Sequence, residues 1–222
     1  EFIYFCKTEG NNTERIRRRI ASLSAFYKFL RRKRFIKENP MEFVIRPKKG
    51  LPVVVQTFLT KDQYELMKTK LKEHGDLQLN TYAMFSISTM ARVNAISNIT
   101  WNQIDFDNRT VDDVLEKEGK IVTLYFSQEV KETLLKLKEE RDKNEIDSEY
   151  VFISKYDGKW DKVGTDTLGR WAKKIGEMID VPTLHPHDFR HSGSQLLALS
   201  GMKIETISSL LNHSGLDVTK NH

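Results

Sequence analysis

The chain has 222 residues, with 36 Lys or Arg against 31 Asp or Glu and a net charge of +5. That length holds one large domain or two smaller ones, and 39% apolar residues are enough for a core. A single cysteine, Cys6, excludes an internal disulfide framework and suits a reducing cytoplasm, while apolar runs this short exclude a membrane-spanning helix. The basic balance fits a polyanionic partner. No signal peptide is visible, and the chain opens mid-element at Glu1-Phe2-Ile3 without an initiator methionine. It therefore reads as a fragment whose natural start lies elsewhere.

Residues 2 to 8 read as the end of a helix. Thr13 is placed to cap a second one from Glu14. Ile16, Ile20, Leu23, Phe26, Tyr27 and Leu30 then recur every three or four residues as one buried face. Thirteen Lys or Arg stand between Arg15 and Lys49. Arg15, Arg18, Arg19, Arg32 and Lys33 fall off the apolar face, which makes either a solvated basic surface or a phosphate-binding one. Asn39-Pro40 is expected to end the element. Two or three short helices over residues 1 to 45 are too few for a good independent core. Residues 46 to 57, RPKKGLPVVVQT, read as a basic linker. Pro47, Gly50 and Pro52 forbid a helix, and Lys48 and Lys49 are placed to track a phosphate backbone.

Thr60 caps a helix from Lys61, with Leu66, Met67 and Leu71 as its core face. Leu79 to Thr89 is apolar on most sides and is expected to be the central buried helix. Arg92 follows. One arginine between buried helices is costly unless paired, so it belongs either to a buried salt bridge or to an anion site. Trp101 to Asp107 reads as the entry to a strand, with a turn at Asp107-Asn108. Val114-Leu115, a turn at Lys117-Glu118-Gly119-Lys120 and Ile121 to Phe126 make a β-hairpin. Helical spacing returns after Ser127 with Val130, Leu134, Leu135 and Leu137, and residues 139 to 149 form a charged, solvated end. Val151 to Ser154 reads as extended, Asp157-Gly158-Lys159 as a turn. Thr165 to Met178 is amphipathic, with Leu168, Trp171, Ala172, Ile175 and Met178 facing inward.

The stretch from His185 to His222 holds the densest chemistry. Pro186 makes a turn, and His187 and Arg190, three apart, share one face at the head of a helix. Leu196, Leu197 and Leu199 are assigned to its buried side, and Gly201 to its end. A second apolar segment, Ile204 to Leu211, leads to Asn212-His213-Ser214. An arginine and a histidine converging near a helix N-terminus, joined by a second histidine, make a site for a polyanion. A metal centre built on His185, His187 and His191 is disfavoured, because those spacings do not stack on one helix face and no acid cluster accompanies them.

These residues resemble the tyrosine recombinases, or phage-integrase family. Its H-x-x-R box stands as His187-Asp188-Phe189-Arg190, its L-L-G-H-S box as Leu210-Leu211-Asn212-His213-Ser214, and its first arginine box as Thr89 to Ile96 around Arg92. Arg18 to Tyr27 and Asn39-Pro40 resemble the helical core-binding domain that precedes the catalytic domain in that family. The resemblance implies a mainly α fold with a small antiparallel β-sheet (α+β). Residues 1–46 would be part of the all-α core-binding domain, 47–56 a linker and 57–222 the catalytic domain. It implies cleavage and rejoining of DNA strands at specific sites through a 3′-phosphotyrosyl intermediate, in an integrase of a mobile element. Arg92, Lys117, His187, Arg190 and His213 would be its catalytic residues, working without metal or cofactor. Arg15, Arg18, Arg19, Arg32, Lys33, Lys48 and Lys49 would contact the DNA. The implied partners are double-stranded DNA, a homotetramer on synapsed DNA, and accessory DNA-bending or directionality proteins. Two departures stand out. Ala95 occupies the position of the acid that braces the first arginine box, so whatever holds Arg92 must come from elsewhere. None of the seven tyrosines, the last of which is Tyr156, follows His213. The chain is expected to stop just before the nucleophile; replacement of the tyrosine by His222, or a degenerate relative that binds DNA without cutting it, are the alternatives.

Overall fold

The computed structural model describes residues 1–49, 58–116 and 119–211. The chain divides into two compact units, Glu1–Val55 and Gln56–His222. Among the described residues no helix is long and apolar enough to cross a membrane.

The first unit holds helices α1 (Phe2–Thr8) and α2 (Thr13–Arg32). Asn12, not Thr13, is the N-cap of α2: its side chain accepts from the Arg15 amide. Both residue types cap well, and the extended backbone needed at a cap falls on Asn12. The helix stops at Arg32, earlier than Asn39-Pro40. Arg34 turns into the left-handed region at φ 61°, and the Phe35 amide reaches back to the Leu30 carbonyl. Cys6, Ile16 and Ile20 form a small core with Phe2, Ile3, Met41 and Val44 packed on it. The apolar face of α2 is buried only at its N-terminal end, and Phe26 is 53% exposed. Two helices offer too little surface to cover the remainder.

The second unit is built around α4 (Leu77–Thr89), in which Leu79, Tyr82, Ala83, Met84, Phe85 and Ile87 are all buried. A helix apolar on every side must be wrapped on every side. Here α3 (Lys61–His74), α6 (Gln128–Lys143) and α8 (Pro186–Leu199) pack on it. Thr60 and Gln63 cap α3 reciprocally. The Tyr82 ring meets Phe152, Trp171 and Phe189 edge-on at 5.6–6.0 Å, and α7 (Thr165–Met178) buries Leu168, Ala172 and Ile175 against the same core. Leu66 and Leu135, assigned inward from spacing, are 40% and 44% exposed. Each sits at the edge of its helix's apolar stripe, where neighbours such as Met67, Leu71, Val130 and Leu134 already fill the contact.

Strands β1 (Ile104–Asp105), β2 (Thr110–Leu115) and β3 (Ile121–Tyr125) form an antiparallel sheet in that order. Trp101–Gln103, expected to open the strand, is a turn of 3-10 helix closed by a Thr100–Gln103 capping box. The register of β2 and β3 shifts between Val111 and Val114, where Asp113 takes φ 54°. Val122 and Leu124 of β3 point to the core while Ile121, Thr123 and Tyr125 are exposed, the alternation of a sheet with one wet face. A second hairpin, β4 (Ile153–Tyr156) and β5 (Lys159–Lys162), folds about Asp157-Gly158. All four residues of its return strand are exposed, so no alternation of buried and exposed residues marks it in the sequence. The fold is thus mainly α with small antiparallel sheets, as expected.

Candidate active site

Arg92 is the N-cap residue of the short helix α5 (Val93–Ser97), just after α4 ends at Met90 in a left-handed turn of φ 52°. Its side chain is 35% exposed and pairs through Nη1 with Glu116, whose own side chain is 1% exposed. The brace missing at Ala95 therefore comes from the end of β2, twenty-four residues along the chain. Along the sequence Glu116 stands in a charged stretch, Glu116-Lys117-Glu118, where an acid carries no signal of burial.

Arg190 lies on α8, 4% exposed, one turn beyond His187. Its guanidinium donates to the Met90 carbonyl and to the Leu211 carbonyl, each at 2.5 Å, tying α8 to the ends of α4 and of α9 (Ile204–Leu210). Burial pulls its pKa down to about 10. The nearby charge of Arg92 adds to that fall, and Glu116 opposes it. Arg190 remains a cation at neutral pH, and it feels both members of the Arg92–Glu116 pair. Two guanidiniums and one carboxylate thus share a small region.

The N-terminus of α8 is closed by a reciprocal cap. Asp188 accepts from the His185 amide, and the His185 ring accepts from the His187 amide. Burial raises the Asp188 pKa, against the lowering influence of the His185 amide and the charges of His185 and His187. His187 is exposed, with its ring 4.5 Å from that of His191. A cleft of about 410 Å³ is lined by Arg92, Asn94, Leu115, Glu116, His185 and His187, among others. Arg92, Arg190 and His187 are brought to one region. Lys117 and His213 lie outside the described residues. Among the described residues no group of three or more His, Cys, Asp or Glu is arranged to hold a metal ion.

The buried face of α8 is not the one its leucines predict. Leu199 is 67% exposed and Leu196 and Leu197 are half-buried. The buried side is Pro186, Phe189, Arg190, Ser192 and Gly193. The reason is close packing on α4: a Cβ on Gly193 would lie 2.1 Å from the Ile87 carbonyl oxygen.

In the first unit, Arg15, Arg18 and Arg19 line a shallow groove with Phe2, Asn12, Ser22 and Leu23. Arg15 and Arg18 are exposed, and Arg19 is half-buried with Nη1 3.7 Å from the Cys6 sulfur. Arg32 and Lys33 are exposed at the other end of α2, about 25 Å away at 1.5 Å per residue. Lys48 and Lys49 are exposed.

The phage integrase family model matches residues 57–222. The tyrosine recombinase XerC of Leptospira interrogans is 29% identical over 222 residues, spanning 99% of this chain and 70% of that protein. XerC of Pediococcus pentosaceus is 27% identical over 216 residues, 92% of this chain and 69% of that protein. Among solved structures, the Tn1549 transposon integrase in complex with circular intermediate DNA shares the fold at a TM-score of 0.73 and 19% identity. The match covers 98% of this chain and 77% of that one. A lambda integrase dimer bound to a COC′ core site does so at 0.70 and 18%, covering 96% and 76%. With the family model spanning the whole second unit but its first residue, and XerC relatives spanning both units, the chain belongs to the phage integrase family, the tyrosine recombinases, which carry out site-specific recombination.

Proposed function

We propose that Arg92 and Arg190 hold the scissile phosphate of duplex DNA in a metal-free strand transfer whose nucleophile is the family's tyrosine. The observation that carries this reading is the convergence of two guanidiniums on one region: Arg190 donates to the Met90 carbonyl, two residues before Arg92, and Arg92 lines one cleft with His187, one turn before Arg190 on its helix. Displacement at a phosphodiester crowds negative charge onto the non-bridging oxygens, and planar guanidinium forks match that charge in geometry and stay protonated. Fixed in place before the reaction, they cost no reorganisation during it.

In this reading the tyrosine oxygen attacks phosphorus and the bond to the 5′ oxygen breaks. His187 handles the tyrosine's proton, His213 hydrogen-bonds a non-bridging oxygen, and Lys117 gives a proton to the leaving 5′ oxygen. The 3′-phosphotyrosyl bond keeps the energy needed for rejoining. Duplex DNA as partner is supported by the DNA-bound Tn1549 and lambda integrases, whose fold this chain shares. The Tn1549 likeness also supports a mobile-element integrase. Arg15, Arg18, Arg19, Arg32, Lys33, Lys48 and Lys49 are assigned to the phosphate backbone, on residues 1–46 as a core-binding domain and 47–56 as a linker to the catalytic domain. A homotetramer on synapsed DNA, with DNA-bending or directionality proteins as accessories, completes the proposal.

One gel experiment tests the core of it. Nicked DNA carrying the crossover site is mixed with the whole recombinase and run under denaturing conditions. A covalent protein–DNA adduct is expected with the intact tyrosine-bearing protein and none with a polypeptide of these 222 residues, which carries no tyrosine after Tyr156. Arg92→Lys and Arg190→Lys keep a charge but lose the fork, and adduct formation should slow by about 10²–10³ in each while site binding persists. Binding that falls in step with cleavage would favour a plain DNA-binding module.

A further inference from the structure

Glu116 is among the most deeply buried ionisable side chains described, at 1% exposure. A carboxylate this deep persists only when paired. One oxygen pairs with Arg92 Nη1, and the other, Oε1, has no hydrogen-bond partner among the described residues. Its charge also reaches Arg190. This acid therefore sits with two cations that repel one another. Its backbone holds a second connection: the Glu116 amide donates to the Lys120 carbonyl at 2.8 Å, across the base of the turn whose sequence carries Lys117. Ala95, one helical turn past Arg92 and 3% exposed, offers no charge.

We propose that Glu116 is the positioning residue of the site, fixing the Arg92 guanidinium beside Arg190 and anchoring the lysine-bearing hairpin to it. This rests on the reading of Arg92 as a phosphate ligand. Arginine has a long, freely rotating stem, and Arg92 is a third exposed, so without a fixed counter-charge it would swing toward water, away from Arg190. Glu116 restrains it from the buried side and leaves its exposed side toward the cleft. Such a residue touches no substrate. Its effect is on how well the clamp is aimed, and misplacement of about 1 Å in a reacting site slows the reaction about 10²-fold.

The test uses the intact recombinase with Glu116→Gln, which keeps volume and an acceptor but removes the charge. Cleavage of nicked crossover-site DNA and equilibrium binding to the same DNA are measured well below each variant's melting temperature. That condition keeps the folded fraction complete, so a role in stability alone would leave cleavage at the parent rate. Cleavage reduced about 10–100-fold, with affinity within about threefold of the parent, is the expected result. A parent-like cleavage rate overturns the proposal, as does a parallel loss of affinity and rate. If Glu116→Gln does not fold, Glu116→Asp, which keeps the charge on a shorter stem, carries the same test with the same outcomes. Parent-like cleavage by Arg92→Lys would instead sink the phosphate-clamp reading on which the role rests.

Discussion

Asp188 shows how a single side chain divides its work between fold and site. Its carboxylate accepts the His185 amide and so closes the N-terminus of α8 directly beside His187. Burial nonetheless outweighs that hydrogen bond and leaves its pKa raised. For an acid with a raised folded pKa, the ionised form is penalised in the folded state. Its contribution to stability is fully present below the unfolded value, near 3.9, and is lost as pH rises through the folded value. Asp188→Asn keeps an oxygen for the cap and cannot ionise. It should melt at or above the parent temperature at pH 7, with the difference shrinking as pH falls toward 4. Thermal melts across that range check it; an Asn variant less stable at pH 7 would show that the charge itself holds the helix end. Residue identities were the most readable part of the chain. Arg92, His187 and Arg190 stand in spaced boxes, and the absence of an acid at Ala95 was visible too. Its replacement was not. Glu116 becomes a partner of Arg92 only when the end of β2 is brought beside α5, a contact between residues twenty-four apart that no local pattern announces.

Between elements, the distance from α4 to α8 sets where Arg190 is held. Gly193 lets the two helices approach until an added Cβ would sit 2.1 Å from the Ile87 carbonyl oxygen and 2.6 Å from Met90 Cγ. The backbone oxygen cannot step aside as a flexible side chain would, so Gly193→Ala must push α8 away from α4. Overpacking of this kind costs about 1–3 kcal/mol, and urea unfolding should show it. The same shift draws Arg190 away from the Met90 carbonyl it now bonds. Cleavage by the folded variant should therefore fall even where stability is restored by low temperature. Cleavage that recovers fully on cooling would confine the effect of Gly193 to stability. Helix existence is legible in the sequence: α2, α3, α6 and α7 from apolar residues recurring at three or four, α4 from being apolar on most sides, and α8 from Pro186 and the leucines that follow it. Which side of α8 is buried was not. Its three leucines looked inward, but close approach at a glycine turns the polar-looking side, with Arg190 and Ser192, toward α4. A glycine marks such contacts by having no side chain, and hydrophobic periodicity is blind to it.

Over the whole molecule, charge is divided unevenly. The first unit carries fourteen Lys or Arg against five acids, and the second twenty-two against twenty-six, so the net positive charge belongs entirely to the first. The second unit is slightly acidic overall, yet it brings Arg92 and Arg190 to one region. Generic attraction to a polyanion should then come from the first unit, and chemistry at one phosphate from the second. Counterion release makes this measurable, because each phosphate neutralised contributes about 0.9 to the slope of log affinity against log salt. Arg15 and Arg18 are exposed on one groove of α2, whereas Arg17 donates to the Pro47 carbonyl within its own unit. Arg15→Ala with Arg18→Ala should lower the slope by about two, weaken binding to cognate and random duplex alike, and leave cleavage at saturating protein close to the parent rate. Arg17→Ala, by contrast, should lower stability and leave the slope nearly unchanged. Fluorescence anisotropy with duplex DNA from about 50 to 200 mM salt separates the two. A slope unmoved by the double substitution would place the non-specific contacts on other cations and return the α2 groove to a solvated basic face.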